Sequence, residues 1–166
     1  MVSVELGNIV EYATDAIVNA ANASLLGGGG VDGAIHYAAG PELKRECILL
    51  GGCDVGGAKI TKGYNLAARH VIHTVGPVWK GGNHGEVELL ARCYRGGLGL
   101  AIEHNLATLA FRSISTGAYR FPIKKAAPIA LTTINTVLKQ ETCIEKITVV
   151  CYDALTYKTY LALMEL

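Results

Sequence analysis

Apolar positions along the chain alternate between short unbroken runs and longer stretches with a three-and-four repeat. Runs rich in β-branched residues occupy Val2–Leu6, Asp15–Asn19, Ala58–Tyr64, His70–Val75, Ala107–Ile114 and Lys146–Tyr152. Several are continuous rather than alternating, such as Thr148-Val149-Val150-Cys151, which suits strands covered on both faces. Across Glu86–Glu103, Val87, Leu90, Ala91, Tyr94, Leu98, Ala101 and Ile102 recur at helical spacing. Ile123, Ala127, Ala130, Ile134, Val137 and Leu138 do the same across Ile123–Lys139. Shorter helices are predicted at Val31–Ala39, Glu42–Leu50 and Ala154–Leu163. Strand and helix alternating in this way predict an α/β fold, a three-layer sandwich around a mixed or mostly parallel sheet. Two features sit badly with the pattern. Gly96, Gly97 and Gly99 fall inside the first long helix, where each costs up to about 1 kcal/mol relative to Ala. Pro128 lies inside the second, which predicts a late start or a kink.

Composition narrows the class. A chain of 166 residues supports a single domain, taken as 1–166, with a proper core. Hydrophobic residues make up 51% and mean hydropathy is +0.32, in keeping with a largely buried sheet. No apolar run approaches the roughly 18–20 residues that span a bilayer, so no membrane partner is expected. No basic segment followed by a long apolar one opens the chain, and a cytoplasmic address is the expectation. The net charge is +1, from 15 basic and 14 acidic residues that do not cluster. Without a basic stripe, nucleic acid polymer is not the expected partner. Cys47, Cys53, Cys93, Cys143 and Cys151 include no C-x-x-C pair and read as reduced, mostly buried small hydrophobes.

The densest chemistry lies between Val18 and His36. An apolar run (Ala16, Ile17, Val18) leads into Asn19 and Asn22, then Gly27-Gly28-Gly29-Gly30, then the predicted helix start. Consecutive glycines are unfavourable in any regular element, but they let a main chain approach a ligand and offer its N–H groups. Just before a helix N-terminus such a loop is an anion site. The two asparagines add neutral donors and acceptors suited to sugar hydroxyls. Gly28, Gly30 and Gly33 formally match G-x-G-x-x-G, yet eight residues, Asn19 to Leu26, separate them from the strand, unlike a dinucleotide fingerprint. No G-K-[ST] follows, which excludes a P-loop, and no G-x-S-x-G elbow exists. A second loop, Ser113-Ile114-Ser115-Thr116-Gly117-Ala118-Tyr119, also follows a predicted strand. Both loops fall at carboxyl ends of strands, where α/β sheets collect ligands, and two facing amide-rich loops suit a diphosphate. Asp32 and His36 are four apart on one helix face; Asp32 is read as ligand-facing and His36, taken alone, as a packed histidine. His70 and His73 are three apart on a strand and point to opposite faces, so no metal site is expected. Tyr119 and Tyr152 stand at strand ends, where an aromatic ring can stack on a base or ribose.

Five segments together resemble the macro domain family and, within it, MacroD-like ADP-ribose hydrolases: Asp15-Ala-Ile-Val-Asn-Ala-Ala-Asn22, Gly27-Gly-Gly-Gly-Val-Asp-Gly-Ala-Ile-His36, Val71-Ile-His-Thr-Val-Gly-Pro77, Ile114-Ser-Thr-Gly-Ala-Tyr119 and Val150-Cys-Tyr-Asp153. The likeness runs from about Gly7 to Tyr160. It implies an α/β/α sandwich on a mixed, mostly parallel six-stranded sheet, with ADP-ribose as ligand and no cofactor or metal. By the same resemblance Asn8 and Ile9 lie by the adenine and Tyr152 flanks the adenosine half. Gly28, Gly29, Gly30 and Val31, with Ser115, Thr116, Gly117, Ala118 and Tyr119, wrap the diphosphate. Asn22, Asp32 and His36 surround the distal ribose as catalytic candidates. The implied substrates are proteins carrying ADP-ribose on acidic side chains, and O-acetyl-ADP-ribose. Asn22 would orient the ribose and Asp32 hold a water; an exposed aspartate is a poor base at neutral pH, so positioning should outweigh basicity. A non-catalytic ADP-ribose reader is the alternative, disfavoured by the pairing of Asn22 with Asp32 and by the lack of appended domains. The chain departs from the family pattern at Asn8, where an acid usually accepts the adenine amino group, and at Arg112 and Arg120, in place of frequent proline and glycine.

Overall fold

A computed structural model describes residues 1–140 and 142–165. Six strands form one sheet, β1 (Val2–Leu6), β2 (Ala16–Ala21), β3 (Ala58–Lys62), β4 (His70–Val75), β5 (Thr108–Arg112) and β6 (Lys146–Cys151), in the order β1-β6-β5-β2-β4-β3. All neighbouring pairs are parallel except β3 against β4. The five α-helices among the described residues are α1 (Gly30–Ala39), α2 (Pro41–Leu50), α3 (Glu86–Glu103), α4 (Ile123–Leu138) and α5 (Ala154–Met164).

Alternation along the strands divides the core into two layers. Ala16 and Val18 of β2 join Ile72, Phe111, Val149 and the inner faces of α3, α4 and α5. Ile17 and Ala21 join Val71, Val75 and the inner faces of α1 and α2. Gly97 explains one of the helix-breaking glycines: a Cβ there would already touch Ile72, Thr74 and Phe111, so α3 lies close on the sheet. Gly99 faces open space, and nothing in the structure explains it.

Two expectations change, and one short element is added. β2 runs on to Ala21 instead of ending at Asn19, because its last residues pair with Asn19↔His73, Ala20↔Thr74 and Ala21↔Val75 of β4. Helix α4 starts at Ile123 despite Pro128, which lies inside it; no late start is needed. Ile9–Glu11 forms a short 3-10 helix, capped when Asn8 Oδ1 accepts the Val10 N–H at 3.3 Å.

The sheet also creates an opening. β2 and β5 pair only through Ala16–Val18 and Leu109–Phe111. Beyond that point β2 stays with β4 while β5 stays with β6. The chain leaving β2 enters α1 on one face, and the chain leaving β5 enters α4 on the other. A split between neighbouring parallel strands whose connections go to opposite faces is where α/β folds bind ligands.

Candidate functional site

A cleft of about 340 Å³ fills this split. Its floor is Ala20, Ala21 and Gly76; one wall is Asn22, Gly28–Asp32, and the other is Arg112, Ser113, Ser115 and Gly117–Tyr119. Both loops read from the sequence as phosphate-binding therefore line one cleft. A second hollow of about 430 Å³, between Ala23–Leu26 and the end of α2, presents no charged side chain.

The glycine wall is fixed by its own chemistry. Leu25 adopts φ 62 and buries its side chain completely, anchoring the turn below the loop. Gly27 and Gly30 take left-handed φ of 91 and 58, a region costly for residues with a Cβ. A Cβ on Gly33 would fall 2.3 Å from the Gly28 carbonyl, so only glycine lets the loop rest on the first turn of α1. At Gly29 and Gly117 a Cβ would meet no protein atom; the space beside them is the cleft itself. Asn22 Nδ2 donates to the Gly27 carbonyl at 2.9 Å, and its Oδ1 accepts from Ser24 Oγ at 2.7 Å. One Nδ2 hydrogen and one oxygen lone pair of Asn22 stay free at the cleft wall.

The opposite wall is held from beneath. Ile114 N donates to the buried Tyr94 hydroxyl at 3.1 Å, Phe121 N to the Ser115 carbonyl at 2.9 Å, and Trp79 N to the Tyr119 carbonyl at 2.8 Å. Ser115 sits at φ 66 with its buried hydroxyl unpartnered. A Cβ on Gly76 would lie 2.1 Å from that oxygen, so glycine is required across from it. Thr116 instead turns inward and donates to Ser113 Oγ at 2.8 Å. Arg120 occupies φ 63 and is exposed; the frequent glycine of the family pattern at this point reflects that backbone conformation. Behind Trp79, burial would raise the Glu86 carboxyl, but N–H groups of Lys80, Gly82 and His84 override it and hold its pKa near 2. That carboxylate ties down the loop that grips Tyr119.

Asp32 is buried, only 5% exposed, contrary to the exposed aspartate expected from the sequence. The longer β2 brings Asn19 beneath it. Asn19 Nδ2 donates to Asp32 Oδ1 at 2.8 Å, while Oδ2, itself buried, has no partner among the described residues and would lie 3.7 Å from a Cβ on Gly28 of the cleft wall. His36 does not line the cleft. Its Nε2 stands 3.5 Å from Asp32 Oδ1, its ring packs beneath Gly27, and burial lowers its pKa against the pull of Asp32. The ring is packed, with contact to Asp32 but none to the cleft, and neither of its nitrogens has a hydrogen-bond partner among the described residues. Asn19 also departs from expectation. On the face of β2 shared with Ile17 and Ala21, it is fully buried and offers nothing to a sugar.

The remaining candidates gather at the far end. Gly7 N donates to the Cys151 carbonyl at 3.0 Å, which brings Asn8 and Ile9 beside Tyr152. Ile9 is buried, Asn8 is exposed with Oδ1 engaged by Val10, and Tyr152 is 74% exposed. Arg112, for which the sequence offered no role, links this end to the cleft. It lines the cleft, its guanidinium carbon lies 5.5 Å from the centre of the Tyr152 ring, and it forms no ion pair among the described residues. His70 and His73 do face opposite layers. No group of three His, Cys, Asp or Glu side chains among the described residues is placed to hold a metal ion. No helix among them is long and apolar enough to cross a membrane.

The Macro domain family model matches residues 18–130. A macro domain-containing protein of Chlorobaculum tepidum is 63% identical over 146 residues, spanning 88% of this chain and 85% of its own. The O-acetyl-ADP-ribose deacetylase 1 of Pantoea vagans is 48% identical over 167 residues, spanning 98% of both. Among solved structures, the Oceanobacillus iheyensis macrodomain with ADP superposes with a TM-score of 0.91 at 44% identity, covering 96% of this chain and 87% of that one. The Trypanosoma brucei macrodomain in complex with ADP-ribose superposes with a TM-score of 0.92 at 41% identity, covering 98% of this chain and 68% of that one.

Proposed function

The chain belongs to the macro domain family, and on that footing we propose that it binds ADP-ribose and hydrolyses esters formed on the distal ribose. The substrates are proteins mono-ADP-ribosylated on acidic side chains, and O-acetyl-ADP-ribose. A single observation carries the catalytic part: Asp32, which lines the cleft with Asn22, has one carboxylate oxygen held by Asn19 and the other, Oδ2, buried without a partner among the described residues.

The diphosphate lies between the Gly28–Val31 and Ser115–Tyr119 walls, against backbone N–H groups and the N-terminus of α1. Its distal ribose then reaches Asn22 and Asp32. The free Nδ2 hydrogen of Asn22 orients a ribose hydroxyl, and Asp32 Oδ2 accepts a hydrogen bond from the attacking water. Water adds to the ester carbonyl and the acyl–oxygen bond to the ribose breaks, or water adds to the anomeric carbon and the carboxylate leaves. The ligand's own diphosphate takes the proton that the water loses, and in acyl attack it is returned to the departing ribose oxygen. Most of the rate gain in this scheme comes from holding the reactants in attack geometry. Asn8, Ile9, Arg112 and Tyr152 take the adenosine half. The relatives' bound ADP and ADP-ribose and the deacetylase name of one close relative support the reading.

The test is incubation of the purified protein with a glutamate-ADP-ribosylated protein and, separately, with O-acetyl-ADP-ribose, following free ADP-ribose. Release from either is the expected result. Tight ADP-ribose binding by calorimetry with no release from both substrates would leave a non-catalytic reader. Nicotinamide on the distal ribose would collide with the Asn22–Asp32 end, so NAD should bind more weakly than ADP-ribose.

A further inference from the structure

We propose that Asn19 and His73, neither of which touches the cleft, are positioning residues that fix the orientation of the Asp32 carboxylate. This inference rests on Asp32 acting in the reaction proposed above.

The structure shows a directed hydrogen-bond chain behind the carboxylate. Asn19 and His73 are partners in the β2–β4 register, on the layer facing α1 and α2. Asn19 Nδ2 has two hydrogens; one goes to Asp32 Oδ1 at 2.8 Å and the other to His73 Nδ1 at 3.4 Å. His73 Nδ1 must then be the acceptor, which leaves the proton on Nε2. Nε2 lies 3.0 Å from Thr61 Oγ1, whose own hydrogen is directed to the Lys62 carbonyl at 3.1 Å. Cys47 Sγ lies 3.9 Å from the same Nε2 and can accept from it as well. With Nδ1 as the acceptor each of these links runs one way, and the Asn19 amide has a single orientation. Turned over, it would set Oδ1 against the Asp32 carboxylate. Burial keeps the imidazole in its neutral form, with a pKa of about 3, and the nearby His36 adds to the effect.

Two features separate this chain from ordinary core packing. Asn19 and His73 are both fully buried among apolar neighbours, where a polar group is unfavourable unless hydrogen-bonded. Asn19 Oδ1 has no partner among the described residues, so stability alone favours an apolar side chain there. What the amide does provide is a hold on Oδ1 of Asp32 that leaves Oδ2 uncommitted in a side chain that lines the cleft. A carboxylate free to turn would present that oxygen only part of the time, and small misplacements of a reacting group are costly in rate.

The experiment compares His73→Asn with His73→Leu. Asparagine keeps an acceptor at the Nδ1 position and sacrifices packing; leucine keeps the volume and loses the acceptor. Single-turnover release of ADP-ribose should stay within about threefold of wild type for His73→Asn and fall about tenfold or more for His73→Leu. The ADP-ribose Kd should stay within about threefold for both. A packing role alone gives the reverse order of rates, and equal rates also overturn the proposal. If His73→Leu fails to fold, Thr61→Val, which removes the last acceptor on the edge strand, takes its place with a rate loss of about threefold expected and an unchanged rate overturning it. Imidazole 15N spectra of the wild-type protein at pH 7 supply a readout independent of activity: an Nε2–H tautomer of His73 is expected, and an Nδ1–H tautomer overturns the chain. Wild type that releases no ADP-ribose refutes the parent reading; active wild type with an unaffected His73→Leu refutes this one alone.

Discussion

At the Asp32 end of the cleft, a carboxylate only 5% exposed is gripped by a buried amide, which is gripped in turn by a buried imidazole. At the other end, Tyr152 is 74% exposed, Asn8 lies on the surface, and Arg112 rests over the tyrosine ring without an ion-pair partner among the described residues. The first end is over-determined by secondary structure, since β2, β4 and α1 each contribute a member. The second is assembled from side chains at strand ends that can be exchanged singly. On the function proposed above, this division would assign turnover to the buried end and much of the adjustable affinity to the exposed end. Changes at Asp32 should alter rate more than binding, and changes at Arg112 the reverse.

The largest effect expected is that of Asp32→Ala. Single-turnover hydrolysis of an ADP-ribosyl ester should fall at least roughly 100-fold, the lower range for losing a positioned proton-handling group. ADP-ribose binding, measured by calorimetry, should weaken only several-fold because the diphosphate and adenosine contacts remain. A variant that keeps its rate and loses its affinity would invert the comparison.

The buried end should also be the pH-sensitive one. His73 takes a proton near 6.5 when unfolded but, shielded by burial, only near 3 when folded. A group with a depressed folded pKa of this sign stabilises the fold above the unfolded value and loses that contribution as pH falls. Between pH 6.5 and 4.5 the loss is about 2 kcal/mol. Urea unfolding of wild type and His73→Asn across that range should give curves that converge toward low pH. Parallel curves would mean that the imidazole is not held neutral.

The contrast explains what could be read in the chain and what could not. Period and run length located each strand and α-helix, and the glycine spacing placed both cleft walls, because these signals are local. The run of β2 past Asn19 was not local: its pairing with β4 decided it, and with it whether Asn19 faced a ligand or the core. His73 looked uninteresting for the sound reason that it opposes His70, yet the same alternation aims it at Asn19. Part of the signal was available: His73 stands inside a predicted strand among Val71, Ile72 and Val75, whereas Asn19 closes its own predicted run. Gly76 could not be recognised as floor, since the requirement comes from Ser115 in another loop. Nor could the burial of Asp32, which follows from α1 lying over β2.

Midway between the two ends, Gly29→Val tests the shared wall. Its φ of −87 suits any residue, and a Cβ meets no protein atom, so the melting temperature should hold within a few degrees. The valine methyls would occupy space assigned to the diphosphate, and ADP-ribose affinity should fall about tenfold, equivalent to about 1.4 kcal/mol. A folded variant with wild-type affinity would remove the diphosphate from this wall and leave the two ends without a common ligand.

The smallest effect belongs to Arg112. Its guanidinium is near enough to the Tyr152 ring for a cation–π contact, worth roughly 0.5–1 kcal/mol at exposed sites. It also lines the cleft, where its charge reaches an anionic ligand. Arg112→Ala should therefore raise the ADP-ribose Kd about three- to tenfold, with single-turnover rate at saturating substrate unchanged within about twofold. Arg112→Lys separates the two contributions, because an ammonium keeps the charge but not the planar stack. Charge attraction is screened by salt. If charge dominates, lysine should restore most of the affinity at low ionic strength and lose it at high. If stacking dominates, lysine should behave like alanine at every salt concentration. Either result keeps Arg112 as an affinity residue of the exposed end. A fall in saturated rate without a change in Kd would move it to the catalytic side and erase the division between the two ends.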